Sequence, residues 1–452
     1  MARLLGAPAV AERRPAPRIT AMKKDPDSAR LPTVKELIDR IMLDAEHIIR
    51  GRWMISQLPL SQMMKGLTMM SRRSHNLLIG LALAFIGAAQ VPAAAEEAAA
   101  VPAGSSQAAP NSIFWDLREN PSAKQADAWY DNYKFRDGKT ISRLRIHYAT
   151  LGTPHRNASG DIDNAILVLH WTGSDSRALL SPTYMKALFD AGRPLDTQRY
   201  YLIIPDNVGH GQSSKPSDGL KANFPNYGYN DIVDLQHKLV TETLAIRHLH
   251  AILGMSMGGM NAWQWAEAYP DAMDGVMPVV SLPIKVSGRN ALWRRIVMDD
   301  IRADPEWKGG NYTTRPTGWL RGFAVLQMMI DGVPHFQTTI PDSAAAELFL
   351  QNVRKQASVI DPNNILYSLK SSADYDPEPG LASIKTKLFA LNFDDDAFNP
   401  VELHVLEHLM PTVRQGRLVI QPGTSTSFGH LTMAHPELWA NHVGEFMKWL
   451  GD

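Results

Sequence analysis

Gly254-Met255-Ser256-Met257-Gly258 is a G-x-S-x-G, preceded by the apolar run HAILGM (250–255) and followed by the helix-like GGMNAWQWAEAYP (258–270). A serine in a tight strand-to-helix turn exposes its Oγ, small flanking residues avoid a clash, and the helix N-terminus behind it favours developing negative charge. Ser256 is therefore a candidate nucleophile rather than a plain turn residue. Serine is a weak nucleophile and needs a base, which in turn needs an orienting acid. Downstream, KLFALNF (387–393) runs into Asp394-Asp395-Asp396, and RLVIQP (417–422) leads to a loop carrying Phe428-Gly429-His430. The order serine, acid, histidine matches an active site assembled at the ends of parallel strands. His430 is the candidate base, with His435, expected at a helix start, in reserve. Only one of the three aspartates can face the histidine. The other two are expected to be solvated or to cap a helix near Pro400.

An acyl-transfer site also needs donors for an oxyanion. One is the backbone N–H of Met257. The other is expected from His170-Trp171-Thr172-Gly173-Ser174, through the N–H of Thr172 or alternatively Trp171. His170 reads equally as a packed histidine beneath that loop. The glycine-rich DNVGHGQS (206–213) lacks the Gly-Lys-Ser/Thr ending of a phosphate loop and reads as site wall. His404-Val405-Leu406-Glu407-His408 matches H-x-x-E-H, but a surface helix is the expected setting, so neither a metal site nor a cofactor is expected.

These groups need a scaffold that gathers strand ends. The apolar runs 166–170, 200–205, 250–255, 275–280, 387–393 and 417–422 suit strands buried on both faces. Helical stretches such as 231–249 and 258–270 lie between them, which predicts a mostly parallel sheet with helices on both faces. Thr140 to Leu151 alternates as an antiparallel edge strand should. From 284 to 379 the alternation gives way to long helical patterns rich in Trp, Met and Arg, read as a cap inserted into a core of 111–283 and 380–452. Trp293, Trp307, Trp319, Phe323 and Met328 are candidates for an apolar pocket roof, or for the cap's own core.

Lysine plus arginine and aspartate plus glutamate each number 46, and cysteine is absent. A neutral balance argues against a nucleic-acid partner, and disulfides and thiolate chemistry are excluded. Arg72 and Arg73, an apolar run from Leu77 to Ala89 and the small residues Ala93-Ala94-Ala95 reproduce the three regions of a secretion signal over 71–95. Cleavage there would leave Glu96 as N-terminus and no stable membrane anchor; an uncut anchor or a buried helix are the alternatives. Residues 1–70 then read as a mis-called upstream region, with Met69 or Met70 as the true start, and 96–110 as a disordered leader. The expected location is periplasmic or secreted, or cytoplasmic if no signal operates.

PLDTQRYYLIIPDNVGHGQSS, then DIVDLQHKLV, then GMSMGGMNAWQWAEAYPD resembles the homoserine O-acetyltransferase branch of the α/β-hydrolase fold, and DPEWKGGNY (304–312) resembles that branch's cap. The resemblance runs from about Leu151 to His430. That branch carries its acid as Asp, three residues, then Pro. Asp396-Ala397-Phe398-Asn399-Pro400 matches, which makes Asp396 the first choice and Asp395 the second. The resemblance implies dimers through the caps. It also implies a substrate-holding arginine in a G-L-x-x-A-R run, but Gly318-Trp319-Leu320-Arg321-Gly322-Phe323 has Phe323 at that step. Arg321 would have to substitute from another helix face, so Trp171, Arg321 and Phe323 are the candidate pocket residues. The Gly209–Ser214 turn departs from the acetyltransferase pattern too.

Three functions fit these residues. A serine hydrolase would pass the acyl group of a small-molecule ester to water. An O-acetyltransferase would pass it from acetyl-CoA to homoserine or another alcohol, and an exported protein would lack that cytosolic donor. A non-catalytic binding protein on the same scaffold is the third.

Overall fold

The computed structural model describes residues 120–452. The readings of 1–70, the signal-like stretch 71–95 and the leader 96–110 lie outside the described residues.

Eight strands form one sheet: β1 (Lys124–Lys134), β2 (Thr140–Leu151), β3 (Ala165–Leu169), β4 (Tyr201–Pro205), β5 (Leu249–Met255), β6 (Met273–Val279), β7 (Lys387–Phe393) and β8 (Gly416–Gln421). Their order is β1-β2-β4-β3-β5-β6-β7-β8. Pairing is antiparallel between β1 and β2 and between β2 and β4, and parallel from β4 through β8. β2 is thus not the edge. β1 covers it, with only Ala128 and Tyr130 of its eleven residues buried.

β3 to β7 are apolar because both faces are covered, whereas β8, expected to be buried on both faces, is the sheet edge and has no fully buried residue. Along β3, Ala165, Leu167 and Leu169 enter one core cluster while Ile166 and Val168 enter the other, the period of two expected of a strand. On one face lie α1 (Tyr229–Lys238) and α2 (Met257–Ala268), which bury Ile232, Leu235, Trp263 and Ala266. The expected helix over 231–249 is shorter than its apolar spacing suggested. It passes into a π-turn at Leu239–Thr243 and stops before Ala245, whose φ is +52°. Further along the chain, α3 (Gly288–Ala303), α4 (Leu320–Ile330), α5 (Val333–Thr339), α6 (Ser343–Ala357) and α7 (Pro362–Lys370) all fall between β6 and β7. α3, α4, α6 and α7 share a third cluster built on Trp293, Val297, Ile301, Trp319 and Phe323. The C-terminal α8 (Ala440–Leu450) covers the other sheet face with Val443, Phe446 and Met447.

At the sheet end opposite Ser256, Asp274 bonds His248 at 2.8 Å and His250 at 2.9 Å, and His250 also bonds Asp452 at 2.8 Å. The bond to Asp274 raises the His248 pKa, partly offset by desolvation. Desolvation works against His250, but its bonds to Asp274 and Asp452 raise it on balance. Asp274 is desolvated too, yet its two histidines hold its carboxyl well below the usual range. Raised histidines contribute stability that is complete below their unfolded pKa of about 6.5 and lost as pH rises through the folded values. A depressed carboxyl contributes stability present above about pH 4 and lost as pH falls. The cluster is therefore most stabilising between about pH 4 and 6.5. Thermal unfolding should find Asp274→Asn lowering Tm by a few degrees at pH 6 and by less at pH 8.5, with catalytic turnover unchanged; an equal loss at both pH values refutes the assignment.

Candidate active site

Because β3 to β8 run parallel, the chain leaves the sheet on one side at 170–174, Ser256, 394–396 and the loop to 430. Ser256 sits between β5 and α2 with φ +52° and ψ −112°. That region is rarely occupied by non-glycine residues and costs on the order of 1–3 kcal/mol. The neighbouring glycines make the turn sterically possible. A Cβ on Gly254 would come within 2.1 Å of the Gly258 carbonyl oxygen, and one on Gly258 within 2.3 Å of the Leu169 carbonyl oxygen.

The structure brings Ser256, His430 and Asp396 into one chain of hydrogen bonds. His430 Nε2 lies 2.9 Å from Ser256 Oγ, and Nδ1 lies 2.8 Å from Asp396 Oδ2. An acceptor carboxylate at Nδ1 places the ring proton there and leaves Nε2 free to accept the serine proton. Asp396 is buried and held in turn. Its Oδ1 accepts the N–H groups of Phe398 (2.8 Å) and Asn399 (3.3 Å), and its Oδ2 accepts Asn399 Nδ2 at 2.8 Å.

Of the other aspartates, Asp394 is exposed, as expected, and Asp395 is part-buried; both bond the loop after β8, and neither caps a helix near Pro400. Asp395 Oδ2 accepts Ser427 Oγ at 2.7 Å and the Gly429 N–H at 3.1 Å, while Asp394 accepts the Gly423 N–H. Both tie down the loop that delivers His430. His435 stands between two 3-10 helices, Gly429–Ala434 and Pro436–Leu438, at the start of the second as expected, and stacks on Phe428 with ring centroids 4.0 Å apart. His404 precedes the helix Val405–Leu409 with φ +51°, so it does not share a regular helix face with His408.

Thr172 and Trp171 line the cavity in front of Ser256. Met257 is the first residue of α2, so its N–H has no acceptor within the helix. The cavity itself measures about 60 Å³ and is mostly apolar, with Trp293, Phe323, Leu326 and Ile330 among its walls. It adjoins a second cavity of about 270 Å³, with Met260, Asn290, Phe398 and Asn399 common to both. Trp307, Trp319 and Met328 do not face it: Trp319 is buried in the cap core, Trp307 packs beside it, and Met328 is exposed. Arg321 also lies elsewhere, beside Asp300, Asp304 and Arg354 on a separate polar cavity of the cap.

Two functional candidates have little sequence signal. Asn399 binds Asp396 and donates Nδ2 to the Val280 carbonyl at 2.9 Å; its only mark in the sequence is the step before Pro400. Arg294 lines the Ser256 cavity and is 6% exposed. It donates to Asn290 Oδ1 at 2.9 Å and to the Leu369 carbonyl at 3.4 Å, and no carboxylate of the described residues pairs with it. Its spacing from Asn290 puts both on one helix face, but WRR reads equally well as a solvated basic patch.

Residues 182–321 match the family model described as alpha/beta hydrolase fold. The chain is 28% identical over 278 residues to a probable acyltransferase of Methanothermobacter thermautotrophicus, covering 61% of this chain and 84% of that protein. It is 30% identical over 305 residues to a homoserine O-acetyltransferase of Carboxydothermus hydrogenoformans, covering 58% and 79%. Of other curated homoserine O-acetyltransferases it spans about half to two thirds of the length. The fold is equally close to a homoserine O-acetyltransferase from Bacillus anthracis (TM-score 0.63, 22% identity, 72% of this chain and 97% of that one) and to esterase E22 (0.63, 21%, 72% and 100%).

Proposed function

We propose that this chain, which belongs to the homoserine O-acetyltransferase-like branch of the α/β-hydrolase fold, is an exported serine hydrolase acting on esters of short acyl groups. The observation that carries the reading is the continuous hydrogen-bonded line Ser256–His430–Asp396 facing a small apolar cavity. In the reaction His430 Nε2 takes the Ser256 proton as Oγ attacks the acyl carbonyl. The N–H groups of Met257 and Thr172 receive the oxyanion. Collapse expels the alcohol, which takes the proton from His430 and leaves through the adjoining larger cavity. Water then attacks the acyl-serine, His430 accepts its proton, and the acid departs as Ser256 is restored. Asp396 holds the imidazole tautomer and stabilises the imidazolium throughout.

Water is favoured over an alcohol acceptor by the leader, since a protein cleaved after Ala95 works away from acetyl-CoA. Phe323, where the branch's substrate arginine would stand, supports the same choice. Acyl release measured with and without an acceptor alcohol decides. Acetyl-CoA consumption only when homoserine is present would overturn the hydrolase, and sequencing the mature N-terminus tests the export.

One observation favours a narrower, second reading in which the alcohol portion of the ester carries an anion. Burying a guanidinium without a carboxylate is costly, and Arg294 sits in the cavity wall in that state, so a carboxylate on the bound alcohol would complete it. Arg294→Met is expected to lower kcat/KM about 10- to 100-fold for esters of hydroxy acids and less than about 3-fold for their neutral methyl esters. Equal losses on both would remove the anionic substrate.

A further inference from the structure

Beneath the loop carrying Trp171 and Thr172 lie two buried histidines that no step above uses. His170 and His210 have ring centroids 5.3 Å apart. The backbone N–H of Asn207 donates to His170 Nε2 at 3.1 Å. In a neutral ring the proton is then on Nδ1, which donates to the Trp171 carbonyl at 2.9 Å. The same carbonyl accepts the Ser174 N–H at 3.2 Å.

That carbonyl and the Thr172 N–H belong to one peptide unit. In a trans peptide the C=O and the N–H point to opposite sides. Pinning the carbonyl beneath the loop therefore fixes the direction of the N–H, on a residue that lines the Ser256 cavity. The second histidine extends the arrangement to the cap. His210 Nδ1 faces the Val208 carbonyl at 3.2 Å, and Nε2 meets Ser368 Oγ of α7 at 2.9 Å.

We propose that His170 is a positioning residue: it holds the Trp171–Thr172 peptide so that the Thr172 N–H receives the oxyanion, and Ser368 steadies it from the cap through His210. The proposal rests on the hydrolase reading above. Burial lowers the His170 pKa, and burial with the neighbouring His170 brings His210 down to about 3, so both rings stay neutral near pH 7. A charged His170 would set a second N–H against that of Asn207.

The test compares His170→Leu, His170→Asn and Ser368→Ala in the full chain. An acetate ester measures turnover. A trifluoromethyl ketone, which adds to Ser256 as a charged tetrahedral adduct, measures oxyanion binding. Leucine fills the space without a donor, whereas the asparagine amide can donate from near the Nδ1 position. Loss of one oxyanion donor costs about 100- to 1000-fold, so misdirecting one should cost H170L about 10- to 100-fold in kcat. KM should stay within about 3-fold, ketone affinity should fall in parallel, and H170N should recover most of the loss. An H170L kcat within about 3-fold of wild type overturns the proposal. So does a loss that ketone affinity does not follow or that H170N does not rescue. Should H170L fail to fold, S368A decides: a fall in kcat of about 3-fold or more with matching ketone affinity supports the positioning role, and no change removes it. Wild-type protein that neither turns over ester nor binds the ketone removes the hydrolase reading itself; active wild type with indifferent variants removes only this inference.

Discussion

Ser256→Ala is expected to reduce kcat by about 10⁶-fold, measured with a short acyl ester, and to abolish labelling by a fluorophosphonate. Losing the nucleophile removes the acyl-enzyme pathway altogether, so the remaining groups cannot compensate. The oxyanion donors and the binding cavity persist, and about 10³- to 10⁴-fold rate enhancement over water should remain from them. Removing the side chain does not remove the strained turn, because φ of +52° at position 256 is imposed by β5, α2 and the close approach of Gly254 to Gly258. Folding should therefore be unaffected, which separates this variant from a structural one. Labelling that persists in S256A, or activity within about 100-fold of wild type, would exclude Ser256 as nucleophile and leave the binding-protein reading or a different catalytic centre.

Whether such groups are legible in the sequence depends on whether their signal is local. Ser256 is legible because the elbow needs its glycines within two residues. His430 and the acidic triplet are legible because each follows a short apolar run that reads as a parallel strand, buried in β7 and half-exposed in β8, and function sits at such strand ends. β1 is not legible, since an edge strand with two buried side chains has almost no hydrophobic pattern to show. The helix over 231–249 is overread for the opposite reason: Leu239, Val240 and Leu244 continue the helical spacing, and nothing local announces the break at Ala245. Pocket residues are the least legible. Arg294 and Arg321 sit in similar sequence settings on helices of one cap, yet packing turns one into the Ser256 cavity and the other into a separate one. That choice is made by contacts between helices far apart in the chain, such as Leu369 of α7 with Arg294 of α3.

Among the three aspartates the same distinction between local and long-range contacts becomes an experiment. Asp396→Asn is expected to lower kcat about 10⁴-fold with KM little changed. The amide must offer its oxygen to the donors of Phe398 and Asn399, which turns its NH₂ toward His430 Nδ1. An N–H facing Nδ1 stabilises the tautomer protonated on Nε2, and that nitrogen can no longer accept the Ser256 proton. Asp395→Ala should behave differently. It removes the acceptor of Ser427 Oγ and Gly429 N–H, two charge-assisted bonds worth about 1.5–3 kcal/mol each before the loop relaxes. Thermal unfolding should then come several degrees lower. Turnover at a temperature where the variant stays folded should fall by less than about 30-fold, because His430 keeps its partner and loses only part of its loop's restraint. The pH profile gives an independent reading: the D396N loss should shrink at high pH, where hydroxide can take the serine proton in place of His430, while the D395A loss should not depend on pH in that way. If D395A is the variant with the larger loss of kcat, Asp395 is the functional acid in solution, and the loop from 423 to 430 rearranges to meet it.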